Sequence, residues 1–191
     1  TGDYIALTTS ARNLDATGAS FGGSTGAAAT VAANLTVEDK IVHKQDNSAL
    51  GLVRVKAGEL FVTTNSGSIQ RGVENATAGD AINVGAGTFT GTVALNKSVK
   101  VLGQGALNTT INGGGSNGLN VTADGLSATN RMEVRDLTVT GAARGVNVNS
   151  NADYLTFANV AFTGNTTTGI SLDVASTSND VVVQDCQFTN T

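Results

Sequence analysis

Three segments of the C-terminal third align without gaps: Val134-Arg-Asp-Leu-Thr-Val-Thr-Gly141, Phe157-Ala-Asn-Val-Ala-Phe-Thr-Gly164 and Val183-Gln-Asp-Cys-Gln-Phe-Thr-Asn190. Each carries a short polar side chain at the same place, Asp136, Asn159 and Asp185. Such residues tolerate left-handed backbone and bond to nearby main chain, so a ladder of chain corners is the first role they suggest. Carboxylates are also hard oxygen ligands, which makes Asp136, Asp153 and Asp185 the candidates for calcium, the one cofactor the sequence suggests. Asp153 belongs to a second row with Asn130 and Asn179. Turn chemistry is the simpler reading of both rows, and no metal or cofactor site is assigned.

Other reactive side chains are few. His43, the only histidine, falls near Lys44 and Asp46 in a stretch that reads as helix, and is expected to be a solvated surface residue. Cys186, the only cysteine, stands where the aligned segments have Leu137 and Val160, and is expected to be a small buried hydrophobe. It has no histidine beside it in the sequence to act as a base. Neither CxxC nor a His/Cys metal spacing occurs. Gly103-Gln-Gly105 and Gly113-Gly-Gly115 lack the lysine and the following helix of a phosphate loop. The sequons at Asn34, Asn75, Asn108, Asn120 and Asn165 are expected by chance in so Asn- and Thr-rich a chain.

The elements that must position these residues are repetitive. The aligned segments start 23 and 26 residues apart, and each follows a Gly-led alternating strand: Gly118-Leu-Asn-Val121, Gly145-Val-Asn-Val148 and Gly169-Ile-Ser-Leu172. Units of that length mark a solenoid. Period 2 within each strand turns Leu119, Val121, Val146, Val148, Ile170 and Leu172 inward, and Asn120, Asn147 and Ser171 outward. Val139, Phe162 and Phe188 then form one inward core stack. Three short strands per unit, with no room for a crossover helix, predict an all-β fold, a right-handed parallel β-helix.

Earlier coils are less regular, with strands at 81–84, 92–95, 99–102 and 110–112 and an excursion near Asp124 to Asn130. One or two short helices are expected in the N-terminal third. In residues 68–76, Ile69, Val73 and Ala76 share a face suited to covering an open coil end. A second helix is read from Ala28 to Lys44, on Val31, Leu35 and Val42. Strands are read at 52–55 and 60–63, and Leu14 to Phe21 resembles part of another coil. The organisation is thus an N-terminal part, 1–67, and parallel coils over 68–191 that are expected to continue beyond it.

Composition agrees. The chain has 191 residues, with 24 Gly, no Pro, no Trp, 4% aromatic and 14% charged residues. Glycine is well above its usual share of about 7%, and charge well below about 25%. A net charge of −4 leaves no basic stripe to replace phosphate counterions, which argues against nucleic acid. No apolar run approaches a membrane span, so membrane insertion is not expected.

Ser68-Ile-Gln-Arg-Gly-Val73, Ala78-Gly-Asp-Ala-Ile-Asn-Val-Gly-Ala-Gly-Thr-Phe89 and Lys97-Ser-Val-Lys-Val-Leu-Gly-Gln-Gly105 together resemble the first coils of right-handed parallel β-helices of the pectin-lyase-like superfamily. In particular they are similar to β-helix stretches of large bacterial surface or secreted proteins. The resemblance covers residues 68–190 well and 1–67 weakly. It implies a fold and not an activity, because the superfamily includes lyases, hydrolases, tailspikes, adhesins and structural proteins. Its polygalacturonase-like members carry adjacent aspartates and a Gly-His-Gly, which this chain lacks. The pectate-lyase-like Arg-x-Pro-x-x-Arg cannot occur without proline.

The outward positions Ala94, Asn120, Asn147 and Ser171 offer no general acid or base near neutral pH. Asp173 stands just past one strand, beside Thr122 and Asn149 of neighbouring coils, so no paired acid for glycoside hydrolysis emerges. Tyr4 and Tyr154 are the only tyrosines and give a poor platform for sugars. The sequence therefore predicts a non-catalytic structural segment of an extracellular or cell-surface protein: adhesin, stalk, surface layer or filament. Its expected partners are neighbouring coils or other copies of itself. The alternative is a glycan-binding or glycan-cleaving module, with glycans as the partner.

Overall fold

The structure, a computed structural model, describes residues 2–149, 152–172 and 180–189. Asp173 and Asn179 lie outside the described residues. The chain runs through β1 (Ile5–Ala6), β2 (Leu14–Asp15), β3 (Ser20–Phe21), β4 (Ser24–Thr25), α1 (Val31–Glu38), β5 (Ile41–Val42), β6 (Val53–Arg54), β7 (Glu59–Val62) and α2 (Ile69–Asn75). Coils follow: β8 (Ala81–Val84), β9 (Gly87–Thr90) and β10 (Val93–Leu95); then β11 (Lys100–Leu102), β12 (Thr109–Asn112) and β13 (Leu119–Val121). The next are β14 (Met132–Thr140) with β15 (Arg144–Val148), β16 (Leu155–Thr163) with β17 (Thr168–Leu172), and β18 (Val181–Gln184) with β19 (Gln187–Thr189).

Every strand from β7 onward pairs in parallel with its counterpart one coil away, which makes a parallel β-solenoid of about five turns with two short helices. Three columns run through it. The first is β7, β8, β11 and the leading halves of β14 and β16, closed by β18. The second is β9, β12 and the trailing halves of β14 and β16, closed by β19. The third is β10, β13, β15 and β17. Val101 pairs directly with Val134, so the longer coil between them, with its excursion around a Ser127–Asn130 bridge, does not shift the register.

Side-chain alternation fills the lumen. In the second column Phe89, Ile111, Val139, Phe162 and Phe188 stack in register. The rings of Phe162 and Phe188 lie 5.0 Å apart and 16° from parallel. Phe162 is fully buried, whereas Phe188, Leu172 and Val183 of the final turns are about half exposed because no described strand stacks on them. Cys186 corrects the sequence reading for the same reason. It packs against the core but is only half-buried, with Sγ 3.5 Å from the Phe157 carbonyl oxygen.

At the opposite end α2 closes the stack. Ser68 caps it, accepting from the Arg71 N–H at 3.2 Å, and Ile69, Val73 and Ala76 are buried in the main core. Gly72 lets the helix sit down: a Cβ there would fall 2.9 Å from Val62 Cγ2 and 3.0 Å from Ile82 Cγ2. The Gln70 side chain accepts from the Ala94 N–H at 2.7 Å, so the helix satisfies an edge of β10 as a preceding strand would.

The N-terminal part departs from the sequence reading. Helix α1 ends at Glu38, short of the expected Lys44, and Ile41–Val42 turn instead into a parallel pair with Ile5–Ala6. The β-branched pair gains more from a ladder than from continuing the helix. Leu14–Asp15 pair in parallel with Val53–Arg54, as another coil would, but Ser20–Phe21 fold back on Ser24–Thr25 as an antiparallel hairpin. These pieces enclose a second core of Ala16, Val37, Ile41, Val53, Val55 and Phe61. Among the described residues no helix is long and apolar enough to cross a membrane.

Candidate functional site

Asp136 and Asn159 interrupt β14 and β16, and Asp185 separates β18 from β19. Their φ values are 58°, 51° and 53°, so all three are left-handed corners stacked coil on coil. Asn159 Nδ2 donates to Asp136 Oδ1 at 2.7 Å, and Arg135 spans Glu133 and Asp136 at 3.2 and 2.9 Å. A cleft of about 260 Å³ beside this ladder is lined by Leu107, Asn159, Asp185 and Gln187. Asp153 lies elsewhere, ahead of β16, where its N–H donates to Asp124 Oδ1 at 3.0 Å. The three calcium candidates are therefore not gathered, and among the described residues no group of three His, Cys, Asp or Glu could hold a metal ion.

The outer face of the third column carries amides. Asn117 Nδ2 donates to Asn120 Oδ1 at 2.8 Å, and Asn147 donates to Asn149. Asn147 faces away from the lumen, yet only 8% of it is exposed. The sequon asparagines Asn34 and Asn165 are likewise buried. Asn165 works as a brace between coils, accepting from Ala142 N–H and donating to the Val139 carbonyl at 3.2 and 3.1 Å.

His43 is the main correction to the sequence reading. It is 1% exposed, beyond the end of α1, not solvated on it. Its Nδ1 accepts from the Val53 N–H at 3.0 Å, so the ring proton sits on Nε2, which donates to Glu38 Oε1 at 2.9 Å. Glu38 is itself 3% exposed. Burial pushes its carboxyl above the ordinary glutamate range, with the His43 hydrogen bond pulling the other way. The Asp46 carboxylate accepts from the His43 backbone N–H at 2.8 Å. Next to it, Arg71 of α2 donates to the Gln45 and Asp46 carbonyls, tying the loop to the solenoid cap. Closed to solvent, the pair fits a structural plug and not a proton-transfer site. Sequence offers one faint signal for it, a lone histidine at the end of the apolar pair Ile41-Val42.

A second missed device is Arg131. Its guanidinium grips Asp180 with two bonds of 2.8 and 2.9 Å and also reaches the Leu155 and Asp180 carbonyls and Thr156 Oγ1. One side chain thus straps three successive coils. The hydrogen bond from Arg131 holds the Asp180 carboxyl below its ordinary range. Forty-nine residues separate the two, so no local pattern reveals them.

Two further clefts lie in the N-terminal part. One of about 470 Å³ is lined by Asn13, Asp15, Arg54 and Asn75, with Arg54 held by Asp80 at 2.9 Å. The other, about 330 Å³, lies between α1 and the β3–β4 hairpin. None of the three clefts brings two carboxylates together. The chain matches no protein-family model, no curated protein and no solved structure.

Proposed function

We propose that this chain is a structural section of an extracellular or cell-surface protein, a length of right-handed β-helix of the pectin-lyase-like kind that serves as stalk, adhesin, surface layer or filament. The observation that carries this reading is the unbroken inward column from Phe89 to Phe188, one residue per coil. Each coil adds about 4.8 Å of length at constant cross-section, and the backbone is satisfied from coil to coil. That suits a stiff spacer.

The use of charge supports the same reading. The carboxylates of Glu133, Asp136 and Asp180 are engaged in ion pairs along the solenoid, where they strengthen the rod instead of lining a cleft in pairs. On this reading the partners are neighbouring coils or other copies, met through strand edges. The test is electron microscopy with surface labelling of cells that make the protein. Rods labelled on the outside are expected; dispersed monomers confined to the cytoplasm would overturn the proposal.

A further inference from the structure

An amine and a primary amide from different coils meet on one carboxylate. Lys56 Nζ lies 2.9 Å from Glu59 Oε1, and Asn83 Nδ2 donates to Glu59 Oε2 at 2.8 Å. A tight turn through Gly58, whose φ is 72°, brings Lys56 back onto Glu59. Parallel pairing then matches Glu59 of β7 with Ala81 of β8, which sets Asn83, two residues on, on the same face of the sheet. The orientation of the amide follows from the chemistry, since its oxygen would be repelled by the carboxylate that Nδ2 meets.

The three side chains differ in what surrounds them. Asn83 is buried, and its neighbours in the ladder are Phe61 and Leu102, so water has little access to its carbonyl carbon. Lys56 and Glu59 keep some exposure. The flexible four-carbon stem of Lys56 can carry the nitrogen from the carboxylate to the amide, to the roughly 3–3.5 Å that attack requires.

We infer that Lys56 and Asn83 join in an isopeptide bond, with Glu59 relaying the protons. Glu59 takes a proton from the Lys56 ammonium, and the freed amine attacks Asn83 Cγ. Glu59 then passes that proton to Nδ2. The Nζ–Cγ bond forms, the Cγ–Nδ2 bond breaks, and the former amide nitrogen departs as ammonia. It carries away the remaining proton of the attacking nitrogen as ammonium, so Glu59 ends as the carboxylate it was. The bond ties the turn ahead of β7 to β8, across the joint between the N-terminal part and the coils. It is independent of the role proposed above.

Mass spectrometry of the intact folded chain tests this. After incubation in neutral to mildly alkaline buffer the chain should weigh less than its sequence by one ammonia, and a protease digest should yield a branched peptide joining Lys56 to Asn83. Lys56→Arg and Glu59→Gln should each keep the full mass, with circular dichroism showing the fold intact; wild type and Lys56→Arg decide the matter if Glu59→Gln does not fold. Folded wild type at full sequence mass would overturn the inference. So would an ammonia loss without the branched peptide, as cyclisation at Asn112–Gly113 would give, or a loss that persists in folded Lys56→Arg or Glu59→Gln.

Discussion

A Cβ built on Gly145 would fall 2.7 Å from Cδ1 of Phe162 and 2.5 Å from the carbonyl oxygen of Gly169. The relationship repeats in both directions. Gly118 lies as tightly against Val139, and Gly169 against Phe188, each with a Cβ contact of 2.5 Å. None of the three has a positive φ. The glycines that lead the third-column strands are therefore demanded by space, because the large side chains of the second column reach across the lumen to meet them.

Gly145→Ala should accordingly destabilise the chain by about 1–3 kcal/mol through overpacking. Phe162→Ala should cost about 3–5 kcal/mol through the cavity it leaves. In the double variant the contact with the Phe162 ring is gone while that with the Gly169 carbonyl remains, so the combined loss should fall short of the sum by only the ring's share. Urea unfolding of the four species measures this. Strict additivity would show that the glycine is not there for the ring.

How much was legible follows from this geometry. The solenoid is readable because each coil repeats the same solution to the same packing problem, so Gly145 and Phe162 recur as Gly169 and Phe188 at similar spacing. Helix α2 is readable because Ile69 and Val73 share one face above a serine cap. The N-terminal part is not repetitive, and its decisive contacts are single events. Beyond the apolar pair that precedes His43, nothing local names Val53 as its partner or says that Ile41–Val42 will prefer Ile5–Ala6 to another helical turn. Arg131 and Asp180 were hidden for a related reason: a strap across three coils has no sequence period.

The buried Glu38 gives a pH signature. Its carboxyl is raised in the folded chain above 4.5, the ordinary value it recovers on unfolding. Well below 4.5 both states hold the proton and Glu38 imposes no penalty. As the pH rises, the unfolded chain releases its proton first, so folding loses stability until the folded carboxyl also ionises. Wild type should therefore lose ground to Glu38→Gln as the pH rises through and above 4.5. Thermal unfolding of both proteins across that window reads the difference. A gap that stays constant or moves the other way would show that burial does not dominate at Glu38.

Asn159 separates the two chemistries offered for the corner ladder. Its backbone is left-handed, and its exposed side chain bonds Asp136. If the corner is what matters, Asn159→Gly should stay within about 1 kcal/mol of wild type, because glycine accepts this φ without strain. Asn159→Ala should lose about 1–2 kcal/mol and Asn159→Val more, since a β-branched Cβ crowds that conformation further. A ligating role gives a different ranking. Glycine and alanine both remove the side-chain oxygen, so both would then weaken the fold equally, and only in the presence of calcium. Denaturation of the three variants with and without excess chelator distinguishes the cases. Gly, Ala and Val in descending order, unmoved by chelator, make the ladder a set of turns; equal losses that vanish on chelation make it a site.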